Sequence, residues 1–162
     1  MRHNLLAIDP GLQGTGVAIW KGDGTVPMFT AVLHSHQPRG ADWIDRTDSL
    51  ALQVRALVKD HDIRHVVCEF MEMHQSARAQ MMWKTGDFQR TLFLIGTFHG
   101  VTKHRSTFKV VPPSEWKGQL PKSVVITRIR KLFGELTCRR LKIESHAWDA
   151  VGIGLWHRGI LK

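Results

Sequence analysis

The chain is short of acids, of cysteine and of long apolar runs, and each shortage excludes a class of protein. Across 162 residues, 14 Asp and Glu face 23 Lys and Arg, a formal net charge of +9. Such an excess makes a polyanion the default partner, because Lys and Arg that neutralise phosphates release condensed counterions. The two cysteines, Cys68 and Cys138, form neither a disulfide framework nor a C-x-x-C pair, so both are expected as reduced thiols. No run approaches the roughly 18 apolar residues of a membrane-spanning helix, so no membrane partner is expected. The opening Met1-Arg2-His3-Asn4 leads into a strand-like run and not a secretory core, which places the chain in the cytoplasm as an expectation. There is no repeat, low-complexity segment or linker, so residues 1–162 read as a single domain. With 43% apolar and 23% charged residues, disorder is excluded as the main state.

The positive charge is concentrated. Between Thr102 and Lys142 lie eleven Lys and Arg against two acids, Glu115 and Glu135, and this stretch carries the whole net charge. Singly, a charged run is most often a solvated face; carrying all of the imbalance, it points to a nucleic-acid footprint. Lys103, Arg105, Lys117, Lys122 and Arg128 are its candidate DNA-binding residues. Of six tryptophans, mostly expected in the core or a dimer interface, Trp116 lies in this stretch and is the candidate to stack on a base.

Hydrophobic periodicity predicts strands at Leu5–Ile8, Gly14–Trp20, Thr25–Leu33, Ile63–Cys68 and Phe108–Val111. Helices are predicted over Asp42–His61, Ser76 to about Gly100, Lys122–Phe133 and Ser145 to about Trp156. The first three strands, joined by short turns, read as an antiparallel meander, and the whole as a mixed-sheet α/β layout. The Met- and aromatic-rich helix from Ser76 is a candidate dimer face as well as a core element. His61 and His65 straddle a helix–strand boundary and share no face, which argues against a zinc site.

The acids carry the chemistry. Asp9 ends the first apolar strand, Glu69 ends the fourth, and Asp149 lies within the apolar last helix. Alone, Asp9 reads equally as a turn residue, Glu69 as a surface acid and Asp149 as the partner of an arginine. Together, at element ends of one sheet and on a helix packed against it, three carboxylates repel unless a cation neutralises them or their pKa values rise. Hard divalent cations, Mg²⁺ above all, suit oxygen donors. His146, three residues before Asp149, shares its helix face and adds an imidazole, which brings Mn²⁺ into range. No Ser/His/Asp signature supplies a side-chain nucleophile, and no small-molecule cofactor is expected.

At these residues a resemblance appears. Ala7-Ile8-Asp9-Pro10-Gly11 with Gly14-Thr15-Gly16, Val67-Cys68-Glu69, and His146-Ala147-Trp148-Asp149-Ala150 resemble the RuvC family of Holliday-junction resolvases across essentially the whole chain. The segment Pro112–Lys122 is more similar to the phage-encoded branch. The resemblance implies an RNase H-like fold, a five-stranded mixed sheet of three antiparallel strands then two parallel, flanked by helices. It implies a homodimeric endonuclease that resolves four-way DNA junctions by paired symmetric nicks leaving 5′-phosphate and 3′-hydroxyl ends. Asp9, Glu69, His146 and Asp149 would be the catalytic set holding two divalent ions, Mg²⁺ or Mn²⁺, and Lys117 and Lys122 would act on the cleaved strand. Where the family often has an aromatic residue three positions after the catalytic Glu, this chain has Glu72, which leaves Phe70 or Met71 to contact DNA there. Three rivals remain: an RNase H-like nuclease for flaps or RNA-containing substrates, a non-catalytic junction binder, and an actin-like nucleotide-binding fold using Gly11, Gly14 and Gly16 around phosphate.

Overall fold

In Leu5–Ile8 every residue is apolar, and a strand of that kind has to be covered on both faces. A computed structural model, which describes residues 3–38, 41–72 and 77–161, shows how this is done. Strands β1 (Asn4–Asp9), β2 (Thr15–Trp20), β3 (Phe29–Leu33), β4 (Ile63–Glu69) and β5 (Thr107–Val111) form one sheet in the order β3-β2-β1-β4-β5. β1 pairs antiparallel with β2, and β2 with β3, whereas β1–β4 and β4–β5 are parallel. This is the mixed five-stranded sheet expected.

The helices are α1 (Trp43–Asp60), α2 (Ala77–Lys84), α3 (Asp87–Thr102), α4 (Pro113–Trp116), α5 (Lys122–Phe133), α6 (Glu135–Leu141) and α7 (Ser145–His157). Alternation along the strands divides the core in two. Leu6, Ile8, Val17, Ile19, Val66 and Cys68 meet Leu50 and Val54 of α1 and Leu94 and Phe98 of α3. Leu5, Ala7, Ala18, Trp20 and Val67 meet α5, α6 and α7 on the opposite face. Residues Ala147 to Leu155 of α7 are all buried, so this helix is apolar nearly all round, as an interior helix has to be.

Two glycines of α7 let it lie close. A Cβ on Gly154 would come within 2.2 Å of the Trp20 ring, and one on Gly152 within 2.5 Å of the Trp116 ring. Gly16 in β2 does the same from the other side, since a Cβ there would sit 2.1 Å from the His146 carbonyl oxygen. The Gly14-Thr15-Gly16 segment therefore serves close packing of strand on helix. Thr15 is buried and its hydroxyl donates to the Gly11 carbonyl at 3.0 Å, closing the turn between β1 and β2.

Two expectations need correction. The long helix from Ser76 is two helices: Gly86, at φ 76°, caps α3 in a conformation that L side chains rarely adopt, while Ser76 lies outside the described residues. Gly96 and Gly100 stay inside α3. The third strand begins at Phe29 and not Thr25, because Pro27 can donate nothing to a ladder. The short helices α4 and α6 fall in stretches too brief for an apolar period. His61 and His65 have separate partners, the Phe29 ring and the Thr107 hydroxyl. Among the described residues, no helix is long and apolar enough to cross a membrane.

Candidate active site

Period-two alternation decides where the acids point. Asp9 has the parity of Leu5 and Ala7, and Glu69 that of Val67, so both leave the sheet on the α7 side. The parallel register runs through Ala7–Val67 and Ile8–Cys68, which puts Asp9 and Glu69 side by side at the carboxyl ends of adjacent strands. α7 crosses above them and brings Asp149, 8% exposed, and His146. Asp9, Glu69, His146, Asp149, Lys117 and Lys122 all line one cleft of about 1100 Å³. The six residues named for catalysis from the sequence thus meet in space.

Each acid has a basic neighbour. His146 Nδ1 lies 3.2 Å from Asp9 Oδ2, Lys122 Nζ pairs with Asp149 Oδ2, and Lys117 Nζ is 3.8 Å from Glu69 Oε2. Trp116 Nε1 donates to the same Glu69 oxygen at 2.7 Å. These interactions do not offset the burial of so many acids. Desolvation, reinforced by the charge of Asp9, pushes the Glu69 carboxyl up to about 7. Burial likewise raises Asp9, against the pull of its hydrogen bond with His146, and that bond raises His146.

Among the described residues, no three His, Cys, Asp or Glu side chains are gathered tightly enough to hold a metal ion as they stand. The donor set nonetheless fits a hard divalent ion. Three carboxylates and an imidazole face one cleft, burial favours the neutral form of two of the carboxyls, and added positive charge is what such a group lacks.

The other candidates fare differently. Trp116 is 3% exposed, with its ring against Gly152, so it has no free face on which a base could stack; that expectation is corrected. Phe70 has the opposite parity to Glu69 and does not line the cleft; its amide donates to the Val111 carbonyl. Met71 and Glu72 line the cleft in its place, and Ser114 Oγ donates to Glu72 Oε1 at 3.0 Å. Lys103 and Arg105 precede β5, at the end of the parallel strands away from the acids, and are exposed. Arg128 lines a second hollow of about 510 Å³ with Trp116, Lys117 and Trp156. The cleft's far wall, Trp43, Arg46, Phe88 and Arg90, went unread, since it comes from the first turns of α1 and α3 and no local motif marks it.

No protein-family model matches the sequence, and no curated protein does. Solved structures do. The chain is similar to Thermus thermophilus RuvC in complex with Holliday junction substrate, with a TM-score of 0.72, 15% identity, and 99% of this chain and 98% of that one covered. It is similar to a second Thermus thermophilus RuvC structure, with a TM-score of 0.67, 14% identity and 98% of each chain covered. It is similar also to the yeast mitochondrial Holliday junction resolvase Ydc2, with a TM-score of 0.65, 12% identity, and 98% of this chain and 78% of that one covered. What is shared at these identities is the fold, the RNase H-like sheet with its flanking helices.

Proposed function

We propose that the chain is a metal-dependent, structure-selective endonuclease that resolves four-way DNA junctions. The observation that carries this reading is the convergence of Asp9, Glu69, Asp149 and His146 in one cleft of a strongly basic chain. Asp9, Glu69 and Asp149, with His146, would hold two divalent ions, Mg²⁺ or Mn²⁺. When bound, these supply Lewis acidity at the scissile phosphate and an activated water. The protein's own contribution is positional. Sheet and helix fix the carboxylates, and Lys117 and Lys122 at the rim face the charge of the cut strand. Water, not a side chain, is the nucleophile and the 3′ oxygen is the leaving group, so the phosphate stays on the 5′ side and the ends are a 5′-phosphate and a 3′-hydroxyl. Two protomers would place two such clefts on one junction in a C₂ arrangement that matches its symmetry. Met81, Trp83 and Phe93, exposed on α2 and α3, belong to the proposed dimer face.

The test is cleavage of labelled four-way junctions, flaps, duplexes and RNA–DNA hybrids with Mg²⁺ or Mn²⁺, with cuts mapped on every strand. Paired symmetric nicks on the junction are expected. Scattered nicks, or faster cutting of flaps or hybrids, would transfer the same chemistry to the flap or RNA-containing reading.

Lys117→Gln and Lys122→Gln are each expected to weaken junction binding and to flatten its dependence on log salt by roughly 0.9 for each phosphate the lysine had neutralised. Titrations between 50 and 200 mM salt (on the order of the range where such slopes are read) check this, and unchanged slopes in both variants would make the lysines bystanders.

The raised Glu69 carboxyl has a consequence for stability. Its folded pKa of about 7 stands above the ordinary value of 4.5, so the folded state binds more protons in that window. The contribution of Glu69 to stability is therefore fully present below about 4.5 and is lost as pH rises through about 7. Glu69 alone accounts for a loss on the order of 3 kcal/mol. Melting temperatures in EDTA should fall over this range, and Mg²⁺ should restore stability above pH 7 and do little near the lower limit. A flat profile with no cation effect would contradict the acid-crowding account.

A further inference from the structure

Trp116, the last residue of α4, uses one indole in several ways. Its Nε1–H donates to Glu69 Oε2 at 2.7 Å. Its ring lies against Gly152 of α7, where a Cβ would be 2.5 Å from Cζ3. Lys117 Nζ stands 4.7 Å from its ring centroid and 3.8 Å from the same Glu69 oxygen. A buried indole ordinarily finds an acceptor, yet in the same core Trp20 Nε1 is buried with none among the described residues. Packing alone does not demand the Trp116 bond, and its acceptor is a carboxylate, which makes it charge-assisted and strong.

We propose that Trp116 is a positioning residue. Its N–H clamps Glu69 through Oε2 and, by bearing on Gly152, ties that carboxylate to the helix carrying His146 and Asp149, so that Oε1 is the oxygen offered to a divalent cation. Lys117, held over the ring, meets Glu69 from the same side and is fixed by the same indole. The proposal rests on the nuclease reading of the cleft and goes beyond it by naming what orients one acid. The carboxylate could not keep this aim through β4 alone, since Glu69 is the strand's last residue and its side chain has rotamers to choose among.

The decisive variant replaces Trp116 site-specifically with 3-benzothienylalanine, which keeps the outline of the ring and removes the donor. Trp116→Phe is made alongside it. Three quantities are read: Mn²⁺ affinity of the protein without DNA by electron paramagnetic resonance, kcat and KM on a four-way junction, and Tm. The isostere is expected to weaken Mn²⁺ binding about tenfold or more, as removing the partner of a ligating group does. It should also lower kcat with KM unchanged, and lower Tm by no more than the loss of one charge-assisted hydrogen bond accounts for. Trp116→Phe is expected to add a further fall in Tm. An isostere that binds Mn²⁺ and turns over like the wild type overturns the proposal and leaves Trp116 a packing residue. A wild type that binds Mn²⁺ but cuts no junction overturns the nuclease reading alone, and the Mn²⁺ comparison then decides on Trp116. A wild type that binds no Mn²⁺ overturns both.

Discussion

Asp9→Asn should reduce junction cleavage by about a thousandfold or more, some 4 kcal/mol of transition-state stabilisation, and leave junction affinity within about twofold. The asparagine amide keeps the size and hydrogen-bonding outline of the carboxylate, so the pairing of Asp9 with Gly16 across β1 and β2 and the approach of His146 persist. What disappears is one of the anionic oxygens that would hold a cation. Affinity should survive because, on the proposed reading, the basic residues between Thr102 and Lys142 supply it. Since burial already raises the Asp9 carboxyl, removing its charge should also make the metal-free protein slightly more stable at neutral pH. Single-turnover cleavage with Mg²⁺ and gel shifts with Ca²⁺ measure the two effects. Wild-type cutting by this variant would end the assignment of Asp9.

Gly16→Ala should cost about 3 kcal/mol of stability, at the upper end of overpacking penalties, and lower Tm by about 8 °C for a chain of this size. The new methyl would lie 2.1 Å from the His146 carbonyl oxygen and 3.0 Å from the Ala147 amide nitrogen. Both obstacles are backbone, so no rotamer change relieves them and α7 itself has to move. His146 and Asp149 move with it, and cleavage should fall along with Tm. Gly154→Ala meets the Trp20 ring at 2.2 Å, well away from the acids, and should lower stability with a smaller loss of cleavage per kcal/mol. Gly96→Ala meets nothing within 4 Å among the described residues and lies in the interior of α3, where Ala is favoured over Gly by about 1 kcal/mol, so Tm should rise. Thermal melts of the three variants check the order, and a neutral Gly16→Ala would refute the close approach of β2 and α7.

The strands were legible because their apolar runs are short and bounded by turns, and because alternation leaves one answer for which face each side chain takes. The same alternation carried Asp9 and Glu69 to one side. Helix continuity was harder to read, since Gly86, Gly96 and Gly100 look alike in a sequence. Of these three only Gly86 adopts a positive φ, and that depends on how α2 and α3 pack. Pro27 was a readable stop for β3 that the apolar run around it obscured. That Asp9 and Glu69 share a cleft was legible from their placement at strand ends, that Asp149 and His146 share a helix face from their spacing, and that Lys117 and Lys122 stand near them only from the family resemblance. Trp116 was misassigned because charge on its sequence neighbours says nothing about the packing of its ring on Gly152, a tertiary feature 36 positions away in the chain. Phe70 has the opposite parity to Glu69, so it stands exposed outside the cleft. The wall formed by Trp43, Arg46, Phe88 and Arg90 joins two helices distant in sequence, and nothing local announces it.

Because strand parity aims the two sheet acids, the chain's tolerance of length changes should be sharply uneven. Deleting a single residue within Leu5–Ile8 would rotate Asp9 onto the side of α1 and α3, away from its partners, even if the strand still formed. Added residues near Gly24, in an exposed turn between β2 and β3, lie outside β1 and β4 and so change the parity of neither Asp9 nor Glu69. Library screens of insertions and deletions should therefore recover active chains lengthened at that turn, and none shortened by one residue in the first strand.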